Sequence, residues 1–166
     1  MANDPVKPVA SIVVQPDAGQ SFWQPVPANG HVEVKVVGGA ESGMAEFDCG
    51  VQEVAPGCYV REHAHDRNEE IIFVHEGEGE AVVDGESHPM RPGTTFYLAK
   101  DSRHLFRNTS NTPMRFFWTL LPGGLSPFFQ AVGRARTAGE AAPAPFPRPK
   151  DVAAIEQNTV FGRSSD

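Results

Sequence analysis

The chain has 166 residues and a formal net charge of −7, with 14 basic residues against 21 acidic ones. That length suffices for one hydrophobic core and is short for two. Phosphate binding needs a clustered basic surface, and the sequence has no run of lysine or arginine, so no nucleic-acid partner is expected. The first eleven residues lack the basic start and apolar core of a secretory signal, and no apolar run approaches the length of a membrane span. We therefore expect a cytoplasmic protein with no membrane partner.

Composition divides the chain into an arm, a body and a tail. Residues 1–30 are polar and proline-rich, which predicts an irregular N-terminal arm. Residues 31–124 contain short apolar runs, each bounded by Gly, Pro, Asn or Asp. The predicted strands are 31–37, 44–54, 59–65, 70–75, 79–84, 94–98, 104–108 and 114–121. Many short strands in one small chain predict an all-β fold, a closed antiparallel barrel or jelly roll.

Residues 125–166 predict a tail with two short helices. Ser126 and Pro127 supply a cap residue and then a proline at the first helical position, and Gly133 ends that helix. Residues 134–149 are rich in alanine and proline, which favours an extended linker. Asp151 is predicted to cap a last helix that ends near Gln157.

Two histidines lie one residue apart in the predicted strand 59–65. Alternate strand residues point to the same face, so His63 and His65 share a face with Tyr59 and Arg61. Two imidazoles at this spacing are close enough to bind one metal ion together. A carboxylate from the next strand would be the third ligand, and Glu69 and its neighbour Glu70, which face opposite ways, are both candidates.

A fourth ligand should come from a strand further along the chain, because a barrel brings distant strands together. His104, at the start of the predicted strand 104–108, is the best-placed candidate. The three remaining histidines, His31, His75 and His88, are predicted to be solvated at the surface.

These residues resemble the first sequence motif of the cupin superfamily. That motif is Gly, five residues, His-x-His, three or four residues, Glu, six residues and Gly. It is matched in every position by Gly57, His63, His65, Glu70 and Gly77. The six-residue gap before the last glycine selects Glu70 rather than Glu69.

A second stretch resembles the second cupin motif with two departures. Gly93, His104 and Asn108 match, but Ala99 stands where the motif has Pro and Asp101 where it has Gly. The departures leave the geometry of the turn before His104 open. The two motifs together cover residues 57–108, about a third of the chain.

The resemblance implies a cupin jelly-roll β-barrel over residues 31–124. It also implies one divalent transition metal held by His63, His65, Glu70 and His104. Such sites in the family often hold ferrous iron that activates dioxygen, so Fe(II) is the favoured metal, and Mn, Ni, Co, Cu and Zn fit the same ligands. Cupin barrels commonly pair, so a homodimer is expected.

We therefore expect a metal-dependent cupin enzyme, first of all a non-haem Fe(II) dioxygenase acting on a small organic substrate. Two alternatives stay open: a non-redox lyase, isomerase or cyclase, and a small-molecule-binding cupin without turnover. By strand parity, the substrate pocket is predicted to include Tyr59, Arg61, Ile72 and Phe106. Arg61 has two interpretations, as a clamp for a substrate carboxylate or as a barrel-mouth arginine paired with a glutamate.

Overall fold

In a computed structural model, residues 9–159 are described, and they form two antiparallel sheets with two short helices. The first half of the chain contributes β1 (Gln20–Trp23), β2 (His31–Val37), β3 (Asp48–Val54), β4 (Tyr59–His63), β5 (Glu69–Glu76) and β6 (Gly79–Val83). The second half contributes β7 (Glu86–Met90), β8 (Thr95–Leu98), β9 (His104–Arg107), β10 (Met114–Leu121), α1 (Leu125–Val132), β11 (Arg134–Ala135) and α2 (Val152–Asn158). No helix in this part of the chain is long and apolar enough to cross a membrane.

The strands follow jelly-roll topology. The larger sheet has the order β11-β1-β2-β3-β10-β5-β8, and the smaller sheet has the order β4-β9-β6-β7. Consecutive strands repeatedly lie in different sheets: β3 and β5 belong to the larger sheet, and β4 between them belongs to the smaller one. The inner faces of the two sheets enclose the core, as expected for this architecture. The prediction of an all-β jelly roll is confirmed.

Strand β10 supplies the centre of the core. Its buried residues alternate with partly exposed ones, and the side chains of Met114, Phe116, Trp118 and Leu120 are fully buried. Burial of each such side chain contributes about 1.5–3 kcal/mol relative to exposure. The alternation is legible in the sequence, because successive strand residues point to opposite faces.

The arm and the tail each contribute a strand to the larger sheet. Residues 20–23 form β1, which pairs with β2, so the prediction of an irregular arm is wrong there. β11 pairs with the other edge of β1, within the segment predicted as linker. Both strands are too short to show an alternating pattern in the sequence. Each forms because its backbone pairs with the edge of a neighbouring strand. Residues 1–8 of the predicted arm and 160–166 of the predicted tail lie outside the described residues.

Strand β7 is also absent from the sequence prediction. It pairs with β6 at the edge of the smaller sheet and contains Pro89. Proline cannot donate a hydrogen bond to a neighbouring strand, so within sheets it is tolerated at an edge. Because proline argues against a strand in a sequence, β7 was not predicted.

Both predicted helices are present. α1 begins at Leu125, two residues before the predicted first helical residue Pro127, and its N-cap is Gly124 rather than Ser126. α2 ends at Asn158, one residue after the predicted end.

Two features of the backbone require glycine at position 77, the last glycine of the first motif. Gly77 has φ +76°, and a Cβ at this position would lie 2.4 Å from the carbonyl oxygen of Pro113. A side chain there meets both backbone strain and a steric clash.

We predict that Gly77→Ala lowers the free energy of unfolding by more than about 2 kcal/mol, because strain and clash add. Gly57→Ala is the matched control: Gly57 has φ +69°, but nothing lies within 4 Å of the added Cβ. Strain alone should cost this control about 1 kcal/mol. Urea unfolding of both variants measures the difference, and equal losses would contradict the clash.

Candidate metal centre

Four buried side chains from both sheets meet inside the barrel. His63 is the last residue of β4, and His104 is the first residue of β9, directly opposite it in the smaller sheet. His65 follows β4 in the connection to the larger sheet. Glu70 is the second residue of β5, on the larger sheet. The donor residues therefore lie on both sheets and in the β4–β5 connection between them.

The geometry of this cluster suits one ion. One donor atom from each of His63, His65, Glu70 and His104 lies within 4.8 Å of the other three, and each residue is at most 4% exposed. Ligands at about 2.0–2.2 Å from a common metal ion are separated by roughly 3–4 Å, which is close to this spacing. The cluster therefore indicates a site for one metal ion.

Backbone carbonyls set the orientation of two imidazoles. Nδ1 of His63 lies 2.9 Å from the carbonyl oxygen of Arg61, and Nδ1 of His104 lies 2.9 Å from that of Ser102. A carbonyl oxygen only accepts, so each Nδ1 carries the hydrogen and donates it. The unprotonated Nε2 of each ring is then the metal-binding atom, held by the kind of outer contact common around metal-bound histidines.

Oε2 of Glu70 and Nε2 of His104 are buried and have no hydrogen-bond partner within residues 9–159, and a cation would satisfy both. These atoms lie 3.3 Å apart, and Oε2 lies 3.6 Å from Nε2 of His65. A buried polar atom left without a partner costs about 1–3 kcal/mol. The residues present therefore fit a divalent transition metal, with nitrogen and oxygen donors that do not choose among such metals.

The protonation states of the cluster also favour metal binding. Burial lowers the pKa of His63 well below its usual value, and the neighbouring His104 and His65 lower it further. Burial alone would raise the pKa of Glu70, but His104 and His65 beside it outweigh burial and hold that pKa far below its usual range. A neutral imidazole and an ionised carboxylate are the forms that bind metal.

The turn that departs from the second motif keeps the conformation expected of a glycine. Asp101 has φ +61°, in the left-handed region that glycine adopts readily and aspartate tolerates better than most residues. Its backbone N–H donates to the carbonyl oxygen of His65 over 2.8 Å. The turn before His104 thus holds the backbone of His65. The departure from the motif at Asp101 therefore preserves the turn geometry next to the metal ligands.

Asn108 has a structural role. Its side-chain nitrogen donates to the carbonyl oxygens of Val54 and Thr112 at 2.9 and 2.8 Å, and its oxygen accepts from the backbone N–H of Ser110 at 2.9 Å. The remaining histidines, His31, His75 and His88, are not part of the cluster.

An irregularity in β4 changes which side chains point inward. The register with β9 shifts between Val60 and His63, so Val60 pairs with Phe106 and is buried. Tyr59 pairs with Arg107 and is 40% exposed. The prediction that Tyr59 shares the inward face of His63 is therefore wrong, because a bulge breaks strict alternation.

The predicted pocket residues separate into two groups. Ile72 and Phe106 are buried in the core, and the ring of Phe106 lies 5.4 Å from that of His104. Tyr59 and Arg61 line a different cavity, bounded by α1 and residues 24–28, whose lining includes none of the four clustered donors. A substrate-binding role for these four residues stays a prediction.

Arg61 has a partner in the tail. Its guanidinium pairs with the carboxylate of Glu156 on α2, which also pairs with Arg148. Of the two interpretations of Arg61, the structure supports the pairing with a glutamate. This ion-pair network connects α2 to strand β4 of the barrel.

Comparison with known proteins agrees with the fold and the motifs. Residues 50–120 match the family model described as Cupin domain. Residues 50–120 are thus similar to the cupin domain, in agreement with the two motifs. The match includes the four clustered donors and ends at the last buried residue of β10.

Proteins from streptomycetes are among its relatives. Protein SchB of Streptomyces halstedii is 39% identical over 84 residues, which are 51% of this chain and 58% of that protein. Polyketide synthase CurC of Streptomyces cyaneus is 36% identical over 84 residues, 51% of this chain and 52% of that protein. The chain thus spans little more than half the length of these relatives. The structure of the polyketide cyclase RemF from Streptomyces resistomycificus is similar in fold, with a TM-score of 0.57 and 19% identity over 67% of this chain and 79% of that one.

We predict that protein purified without chelators or a metal-affinity resin carries about one equivalent of a divalent transition metal, and that Glu70→Gln lowers metal affinity at least tenfold. The substitution removes the one carboxylate from the cluster while keeping its size. Elemental analysis and competition with a chromogenic chelator measure the two quantities. Glu69→Gln is the matched control, because Glu69 is the next residue and lies outside the cluster. Equal metal content in both variants would contradict the site.

A second prediction concerns the turn at Asp101. Asp101→Gly should leave the free energy of unfolding unchanged or raise it by up to about 1 kcal/mol, since glycine adopts the left-handed conformation without strain. Asp101→Val should lower it by about 1–2 kcal/mol or more, because a β-branched residue is strongly disfavoured there. Thermal and urea unfolding decide, and a valine variant as stable as the glycine variant would be inconsistent with this turn.

Proposed function

We propose that this chain is a metal-dependent enzyme that closes a ring in a small, polyketide-like substrate by non-redox chemistry. In the proposed reaction, an enol carbon of the substrate attacks a carbonyl carbon of the same molecule. A carbon–carbon bond forms, and water then leaves. Non-redox chemistry is the alternative to a dioxygenase that the sequence leaves open, and the names of the relatives favour ring closure within it.

The observation that carries the proposal is the buried cluster of three imidazoles and one carboxylate. A divalent ion held there would act as a Lewis acid that polarises a carbonyl oxygen. The names of similar proteins support the substrate class, because CurC is described as a polyketide synthase and RemF as a polyketide cyclase.

The chain's own residues prepare this site for such chemistry. The carbonyls of Arg61 and Ser102 fix the rings of His63 and His104, so two donors are in place before a substrate arrives. Leu98 and Leu120 lie opposite Glu70 on the two neighbouring strands and are at most 2% exposed.

These apolar neighbours exclude water from the carboxylate side of the cluster. Exclusion of water strengthens electrostatic interactions within the site and protects reactive enols from side reactions.

A dioxygenase is the second candidate, and the same donor set is compatible with it. Nitrogen and carboxylate donors suit ferrous iron as well as zinc, manganese or nickel. The apolar surroundings of Glu70 would also shield intermediates of oxygen chemistry. A homodimer, as the resemblance implies, is part of the proposal in either case.

Turnover in air and under nitrogen separates the two candidates. We predict that the protein as isolated converts a linear poly-β-ketone, offered as its N-acetylcysteamine thioester, into a cyclic product lighter by one water. Its rate should be equal in both atmospheres, and Glu70→Gln should reduce it at least a hundredfold. Mass spectrometry and an oxygen electrode provide the readouts. Oxygen uptake that depends on Glu70 would favour the dioxygenase instead. No Glu70-dependent conversion or oxygen uptake with any such thioester would contradict the polyketide proposal.

A further inference from the structure

Two arginines converge on one carboxylate beside strand β4. Nη2 of Arg61, on β4, and Nη2 of Arg148, in the segment before α2, both donate to the same oxygen, Oε1 of Glu156 on α2. The side chains of Arg61 and Arg148 are 11% and 22% exposed, and that of Glu156 is 12% exposed. We call Arg61 and Arg148 the arginine pair. Its two guanidinium groups lie close together in partly buried surroundings, with one carboxylate shared between them.

The arginine pair needs an anion. Two like charges repel each other, and partial burial strengthens that repulsion because the surroundings screen it less than water does. Removal of the shared carboxylate leaves partly buried charge uncompensated, which is destabilising. Glu156 therefore leaves the arginine pair at low cost when another anion takes its place.

Helix α2 has no buried face that would hold it in place. None of its residues is buried, and Val152 and Ile155 pack against the core while partly exposed. A helix of seven residues is too short to be stable alone in water, so its docked state depends on such contacts and on Glu156. A turn at residues 150–151 separates Arg148 from α2, and the buried Phe146 anchors the chain before that turn. α2 can therefore move about this turn while Arg148 stays in place.

The attachments of α2 lie on the segment that carries metal-centre donors. Arg61 is two residues before His63, and its own carbonyl oxygen accepts from Nδ1 of His63. Arg67, in the connection between β4 and β5, donates through Nη2 to the carbonyl oxygen of Thr159, directly after α2, over 3.3 Å. Movement of α2 therefore uncovers protein surface next to the candidate metal centre.

The cavity at the arginine pair is small while Glu156 is docked. Its volume is about 50 Å³, and its lining includes both arginines together with Tyr59, Val60 and Phe128. Small-molecule sites typically occupy about 300–1,000 Å³, so an organic ligand at the arginine pair requires Glu156 to leave. An untethered carboxylate can offer one oxygen to each guanidinium, whereas Glu156 offers a single oxygen to both.

We propose that the arginine pair is a binding site for the carboxylate of a small organic acid, and that α2 is a lid whose Glu156 fills this site until the ligand displaces it. The ligand's carboxylate takes the place of Glu156, its apolar part lies toward Val60 and Phe128, and α2 swings outward. The proposal goes beyond the proposed function, because it assigns a ligand group and a moving element and does not depend on ring closure.

Titration of two matched probes, followed by ligand-observed NMR, tests the site. Benzoate carries a carboxylate, and benzamide has nearly the same shape without the charge. Glu156→Gln removes the competing charge, so this variant should bind benzoate at least tenfold more tightly than the unmodified protein. Its affinity for benzamide should change less than twofold. A purely structural role of Glu156 predicts no gain for benzoate.

Two further variants exclude other causes of a gain. Asp151→Asn removes one negative charge next to α2 at an exposed position outside the ion-pair network, so it should change benzoate affinity less than twofold. Arg148→Met, added to Glu156→Gln, should abolish the gain, whereas benzoate bound at the metal centre would keep it. No gain in Glu156→Gln, an equal gain in Asp151→Asn, or a gain that survives Arg148→Met would overturn the site.

Hydrogen–deuterium exchange of the unmodified protein tests the lid. Saturating benzoate should raise the exchange rates of the α2 amides at least fivefold and leave those of β10 unchanged, while benzamide at the same ionic strength should change neither. Unchanged exchange in α2 with benzoate bound would overturn the lid. Because binding and exchange are read without turnover, failure of this proposal is distinguishable from failure of ring closure.

Discussion

The carboxylate of Glu70 on one sheet faces the imidazoles of His63 and His104 on the other sheet, inside a largely apolar barrel. This contact places charge in the interior, where an unsatisfied polar atom costs about 1–3 kcal/mol. Much of the surrounding structure serves it: carbonyls orient His63 and His104, and the turn at Asp101 holds the backbone of His65. A metal ion at this point would connect the two sheets directly, so binding and stability would be linked.

The same strand alternation that builds the core also places buried acidic side chains on its inner face. Asp48, Leu120 and Glu70 occupy one row across three neighbouring strands, with an apolar residue between two acidic ones. The position of Glu70 beside the imidazoles therefore depends on the register of the larger sheet.

Features encoded by local spacing were predictable from the sequence. The histidine and glutamate positions follow from the offsets of the cupin motifs that the sequence resembles, and the buried side chains of β10 follow from alternation. Features that depend on the assembled barrel were not. The bulge in β4 moves Tyr59 outward, and β1 exists because β2 offers an open edge. The partner of Arg61 is 95 residues away in the sequence, and no local pattern could identify it.

A crystal structure with anomalous diffraction data, collected on protein purified without chelators, tests the central claim most directly. The account predicts one anomalous peak inside the barrel, about 2.0–2.2 Å from one donor atom of each of His63, His65, Glu70 and His104. The Nε2 atoms of His63 and His104 should face it. No peak in fully metal-supplemented crystals, with Oε2 of Glu70 hydrogen-bonded to a protonated imidazole instead, would contradict the account.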